Sequence, residues 1–349
     1  MLRQMLPAVA LMGVALASGC AQTPEVPLTA VAVASEPAPG WRPFSPDSPW
    51  NTKVAADAPI DPNSDILLAE LGKSGPFYVN IAEWSVMVKY FDSAKAPKRT
   101  VRPLYEGRYG PGFGPREQVP IPADALDPET PASQSTYFTL VDPVRNLAWD
   151  MRQSGQSPEG SWHAGFGAAV DLSGTGVSIP WMKAERADLS SGARPSGAPL
   201  IAGLIRVDEV KAGRIDHALA FATPLPLTGK FVPPASTDLK ADSAGGQRFT
   251  GLPMGARIQL NPDYDIDNTL LSPGGKVVAR ALQEYGAILV DQAGANVLYA
   301  ESGPEHIAAW EGVLSPGDLQ ILLTPEFIAL NFRVIDSGEP LPGIPSAYN

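Results

Sequence analysis

Proline and glycine set the limits of what this chain can become, with 37 prolines and 33 glycines spread through 349 residues. A proline inside a helix removes a hydrogen bond and collides with the preceding turn, and a glycine there weakens it. Many short elements joined by specified turns are therefore expected in place of a helical bundle. The sequence predicts a mainly β fold, a single β-sandwich or jelly-roll-like domain with a few short helices.

The N-terminus reads as an export signal. Arg3 gives a minimal positive region, Met5 to Leu16 an apolar stretch too short to span a bilayer, and Ala17-Ser18-Gly19 a small-residue cleavage site. Cys20, the chain's one cysteine, follows directly, so no disulfide is available to the fold. The Ala-Ser-Gly-Cys arrangement resembles the lipobox of bacterial lipoproteins. That resemblance implies cleavage before Cys20, lipidation of its thiol and, with Ala21 in place of an inner-membrane aspartate, delivery to the outer membrane. Residues 1–20 are thus expected to be signal peptide, 21–40 a disordered tether rich in proline and alanine, and 41–349 the β-rich globular domain. A formal net charge of −11, without a basic stripe, argues against a nucleic-acid partner.

The stretch from Ser196 to Ala222 is the first candidate for chemistry. Val207 to Ala212 predicts a helical turn stopped by Gly213, and Arg214 to Phe221 a strand. Strand alternation sets Ile215, His217, Leu219 and Phe221 on one face, with Glu209 as the nearest carboxylate able to reach the imidazole. A packed histidine bonded to a carbonyl is the competing reading. The second candidate is Ser161 to Ser178, where Trp162 and His163 precede small residues and a strand delivers Asp171 into a glycine-rich turn.

Elsewhere the readings are plainer. Trp41, Phe44 and Trp50 read as aromatic plugs or sugar platforms, and Asp61 to Gly72 as a short helix. Tyr105 to Asp127 reads as a long loop whose Arg108 and Arg116 are positioned to hold an acidic sugar. Thr136 to Arg152 predicts a hairpin turned at Asp142-Pro143, with Asp150 beside Arg152 in a cleft or a surface ion pair. Ser272 to Gly286 predicts a helix, with Tyr285 at its corner as a buried phenol or proton donor. Phe327 to Ile335 predicts a last strand, and His306 an exposed helical turn. The histidines lack the spacing of a metal motif, so no metal is expected. Asp263, Asp265 and Asp267 alternate as calcium ligands do, but the glycine and glutamate of an EF-hand loop are missing, so no cofactor is expected there either.

Taken together, Ser48-Pro49-Trp50-Asn51, the block from Gly203 to Phe221, and Ala281 to Asp291 resemble segments of a group of uncharacterised secreted bacterial proteins. The resemblance implies export and carries no residue roles. The expected function is that of an exported, membrane-anchored carbohydrate-active enzyme hydrolysing a polysaccharide by a paired-carboxylate mechanism, with a lyase and a non-catalytic lipoprotein as alternatives. A polysaccharide hydrolase would use Glu209 and Asp171 as its carboxylate pair, and a polysaccharide lyase would use His217 or His163 as base and Tyr285 as acid. A non-catalytic glycan-binding or structural envelope lipoprotein would need neither. In the catalytic readings Trp162, Arg108 and Arg116 bind substrate, and the membrane is met only through the lipid on Cys20.

Overall fold

A computed structural model of the protein describes residues 36–104, 113, 118–125, 137–157, 159–177, 192–241, 244–320 and 322–343. The expectations for the leader, Cys20, Arg108 and Arg116 fall outside the described residues. Numbered along the chain, six strands form the first sheet in the order β1 (Phe77–Asn80), β14 (Asn296–Tyr299), β10 (Leu219–Thr223), β13 (Ala287–Gln292), β12 (Arg257–Leu260) and β16 (Phe332–Ile335). A second sheet runs β15 (Glu301–Ser302), β2 (Val86–Tyr90), β5 (Tyr137–Asp142), β6 (Leu147–Arg152) and β9 (Phe166–Asp171). A third runs β4 (Gln118–Pro120), β3 (Lys98–Pro103), β8 (Trp162–Ala164) and β7 (Gly155–Gln156), and β11 (Lys230–Phe231) pairs with β17 (Leu341–Pro342). The helices are α1 (Ser64–Gly72), α2 (Val207–Ala212), α3 (Pro273–Glu284), α4 (Pro304–Ile307) and α5 (Pro325–Asn331).

Alternation along the strands explains how the sheets stack. On β10, Leu219 and Phe221 enter a core shared with Leu68, Val278 and Ile328 of α1, α3 and α5, while Ala220 and Ala222 enter the core on the opposite face. That second core also takes Val86 and Val88 of β2 and Ala168 and Val170 of β9, so the second sheet lies against the first. Met87, Phe138, Leu140 and Met151, on the other face of the second sheet, meet Val101 and Trp162 of the third. Each buried Leu, Val or Phe contributes about 1.5–3 kcal/mol, so this layering is the main source of stability in a chain without a disulfide. The β-rich expectation holds. A jelly roll, however, has antiparallel neighbours, whereas β1 with β14, β10 with β13, β2 with β5 and β3 with β8 run parallel.

Several local expectations hold to within a few residues, and two do not. Gly213 closes α2 at φ 81, in the left-handed region that glycine enters without a Cβ clash. Ser272 caps α3 by accepting from the Gly275 N–H at 3.0 Å. The last segment is not one strand. Thr324 caps a helix by accepting from the Phe327 N–H at 3.2 Å, Pro325 fits its first turn, and the strand begins only at Phe332. His306 lies on α4 as expected but is buried, with Nε2 3.2 Å from the Val88 carbonyl.

Candidate functional site

The short helix α2 and the extended residues after it bring Glu209 and His217 together. His217 Nε2 lies 3.1 Å from Glu209 Oε2, and its Nδ1 lies 2.9 Å from the Ala218 carbonyl oxygen. Each ring nitrogen thus faces an oxygen acceptor, the ionised Glu209 carboxylate or the Ala218 carbonyl. The other Glu209 oxygen is 2.8 Å from Arg206, which precedes α2 and also donates to the Trp41 carbonyl at 2.7 Å. Burial pushes the Glu209 carboxyl up, but His217 and Arg206 offset it and hold the group below the usual glutamate range.

This pair continues into a larger buried network. The Arg206 guanidinium is 5.3 Å from the Trp41 ring centroid, and Trp41 meets Tyr90 edge to face. Burial alone would lower the Arg206 pKa, yet Glu209, Tyr90 and Asp208 hold it above its usual value. Glu301 accepts from the Val207 N–H at 2.6 Å and from the Tyr90 hydroxyl at 3.3 Å. Burial raises the Glu301 carboxyl, and neither His306 nor the Val207 N–H brings it back to its usual value. Arg206, Tyr90 and Glu301 escaped the sequence reading. Only Arg206 left a signal, an arginine three residues before Glu209 at the spacing of helix neighbours.

His217 is 4% exposed and Arg206 2%, so the pair expected to carry chemistry lies in the interior. The strand expected from Arg214 begins only at Leu219, so His217 sits at a bend just before β10, between Ile215 and Leu219 of the first core.

The other candidates lie apart. Asp171, at the end of β9, accepts from the Ser173 N–H at 2.8 Å and the Ser173 hydroxyl at 2.6 Å, closing its own turn. His163 sits on β8 opposite Gly155, where a side chain would start 2.9 Å from its Nε2. Trp162 is packed in the third core, so its ring faces are not open for a sugar. Phe44 and Trp50 are likewise buried plugs. Tyr285 donates to Asp216 at 3.2 Å, and burial followed by that carboxylate raises its phenol. Among the described residues no hydrogen bond or ion pair joins Asp171 or His163 to Glu209, His217 or Tyr285. Asp150 is not at a surface or cleft: it is fully buried between the first two sheets. In the acidic loop Asp265 caps the Asp267 N–H at 3.1 Å and Asp267 pairs with Arg280 at 2.5 Å. Among the described residues no group of three or more His, Cys, Asp or Glu could hold a metal, and no helix is long and apolar enough to cross a membrane.

Comparison with family models, with curated proteins and with solved structures finds no match to this chain. Residue roles therefore rest on its own geometry.

Proposed function

We propose that this protein is an exported envelope lipoprotein, anchored at Cys20 in the outer membrane, that binds a polysaccharide without cleaving it. The observation carrying this reading is the engagement of Glu209, whose two oxygens lie 2.8 Å from Arg206 and 3.1 Å from His217 in the interior. A general acid or base has to reach the substrate proton, and a hydrolase needs two carboxylates across one scissile bond. Glu209 is held by Arg206 and His217, and Asp171 is committed to its turn. The lyase alternative meets the same obstacle, because both ring nitrogens of His217 are already partnered.

A binding surface is available at the β1 end of the first sheet. Trp84 is 71% exposed with its backbone at φ 59, and Asn80 Nδ2 donates to its carbonyl at 3.0 Å. Tyr78 is 38% exposed and shares the outward face of β1 with Asn80. An exposed indole on a tied-down turn suits stacking on a sugar ring. The test is calorimetric titration of soluble bacterial and plant polysaccharides, with product analysis for new reducing ends and for the absorbance of a new double bond. The expected result is binding without products, weakened at least about tenfold in Trp84→Ala, the loss of about 1.4 kcal/mol. Products that vanish in Glu209→Gln would overturn the non-catalytic reading, and absence of binding to every glycan would overturn the ligand class.

A further inference from the structure

Across the first sheet from Tyr78, where β12 and β16 form the other end, lies a recess of about 420 Å³ that the proposed glycan surface does not use. Its size is at the lower end of pockets that hold small molecules, about 300–1,000 Å³. Pro49, Val54, Pro233 and Ile335 give it aliphatic walls, and among the described residues no aromatic ring lines it. A sugar ring would find no stacking partner there, whereas a small hydrocarbon body would be covered.

The recess also holds one cation, Arg257, that pairs with no carboxylate among the described residues. Arg257, opposite Ile335 across the β12–β16 pair, donates Nη1 to the Thr52 carbonyl at 3.3 Å and Nη2 to the Pro49 carbonyl. A guanidinium has five N–H donors, so donors remain. Lys53, the other cation of the lining, is taken: it meets Glu284 at 2.6 Å, and Arg214 meets Glu284 at 3.3 Å and Asp216 at 2.5 Å. Those two cations and two carboxylates balance. Among the described residues no carboxylate pairs with Arg257, and burial pulls its guanidinium down to about 10 with no acid opposing the shift.

We propose that this recess binds a small monocarboxylate with a compact apolar body, its carboxylate on Arg257 and its hydrocarbon against Pro49, Val54 and Ile335. One uncompensated positive charge selects a monoanion over a dianionic phosphate, and the planar guanidinium fork matches a carboxylate. The loop bearing Pro49 and Trp50 is then the wall of a ligand site as well as a plug of the core. This site is independent of the polysaccharide reading.

The probes are benzoate and isobutyrate, with benzamide and isobutyramide as neutral controls, titrated into the full-length protein at pH 7 by calorimetry. The expected Kd for the acids is on the order of 1 mM, as befits ligands of so few atoms, with the amides at least about tenfold weaker. Arg257→Gln should weaken benzoate at least about tenfold, and Lys53→Gln should change it by less than about twofold. Ala58→Phe, which fills the recess without altering charge, should abolish binding while leaving Arg257 in place. Equal binding of acid and amide, benzoate affinity retained in Ala58→Phe or in folded Arg257→Gln, or no binding at about 100 mM, each overturns the proposal.

Discussion

Replacing Asp150 by asparagine should make the protein more stable, by an amount that depends on pH. Asp150 lies between two sheets with Oδ1 accepting from the Thr139 hydroxyl at 2.8 Å, and Oδ2 accepting from the Leu200 N–H at 2.8 Å and the Ala193 N–H at 3.3 Å. Burial pushes its carboxyl up from 3.8 to about 6, further than these donors pull it down. A carboxyl raised in the folded state holds its proton more tightly than the unfolded chain does. Stability is therefore greatest below the unfolded value and is lost as pH rises from 3.8 to about 6. At about 1.36 kcal/mol per pH unit, the ionised group costs about 3 kcal/mol at pH 7.5 and about 1 kcal/mol at pH 4.5. Asparagine keeps the shape, its carbonyl oxygen can accept both N–H groups, and its amide can donate to Thr139. Urea unfolding of the two proteins should give Asp150→Asn an advantage near 3 kcal/mol at pH 7.5, shrinking by about 2 kcal/mol at pH 4.5 with unchanged m-values. An advantage equal at both pH values, or a less stable variant at pH 7.5, would refute the argument.

Other substitutions address the remaining parts of the fold. Asn51 Nδ2 donates to the carbonyls of Pro43, Phe44 and Ser45 at 2.9, 3.1 and 3.0 Å, so Asn51→Ala should cost about 1–3 kcal/mol in a urea midpoint. Gly213→Ala forces a Cβ into φ 81 and should lower stability by about 1 kcal/mol, because no neighbouring atom obstructs the side chain itself. Glu209, held below its usual range, contributes stability above the unfolded glutamate pKa that fades as pH falls through its folded value. The stability difference between the protein and Glu209→Gln should accordingly narrow under acid because the protein loses its advantage, whereas at Asp150 it is the variant that loses one. Cys20→Ser should release the protein from membranes, and a variant still membrane-bound after an alkaline wash would remove the lipid anchor from the account.

Local signals carried well from sequence to fold where one residue type meets one backbone need. Gly213, Ser272 and the Asp142-Pro143 turn were readable for that reason, and so was the contact between Glu209 and His217, which are eight residues apart. Pairings between distant segments were not readable. Glu301 reaches the Val207 N–H across 94 residues, and Asp150 reaches the Leu200 N–H across 50, so neither burial could be inferred from neighbours in the chain. Period-2 alternation says which residues share a face, and it cannot say whether another layer covers that face. Both faces of β10 are covered here, and His217, just ahead of that strand, meets the Glu209 carboxylate and the Ala218 carbonyl. Arg257 was missed for the converse reason: nothing near it in sequence reveals that an arginine lacks an acid.

The most direct test of the central claim is a melting curve of His217→Gln beside glycan binding and turnover in the folded fraction. A structural role predicts a loss of about 1–3 kcal/mol, because glutamine cannot keep both the Glu209 and the Ala218 contacts of the buried ring, with glycan affinity unchanged. An unchanged melting temperature together with lost binding or lost turnover would contradict it.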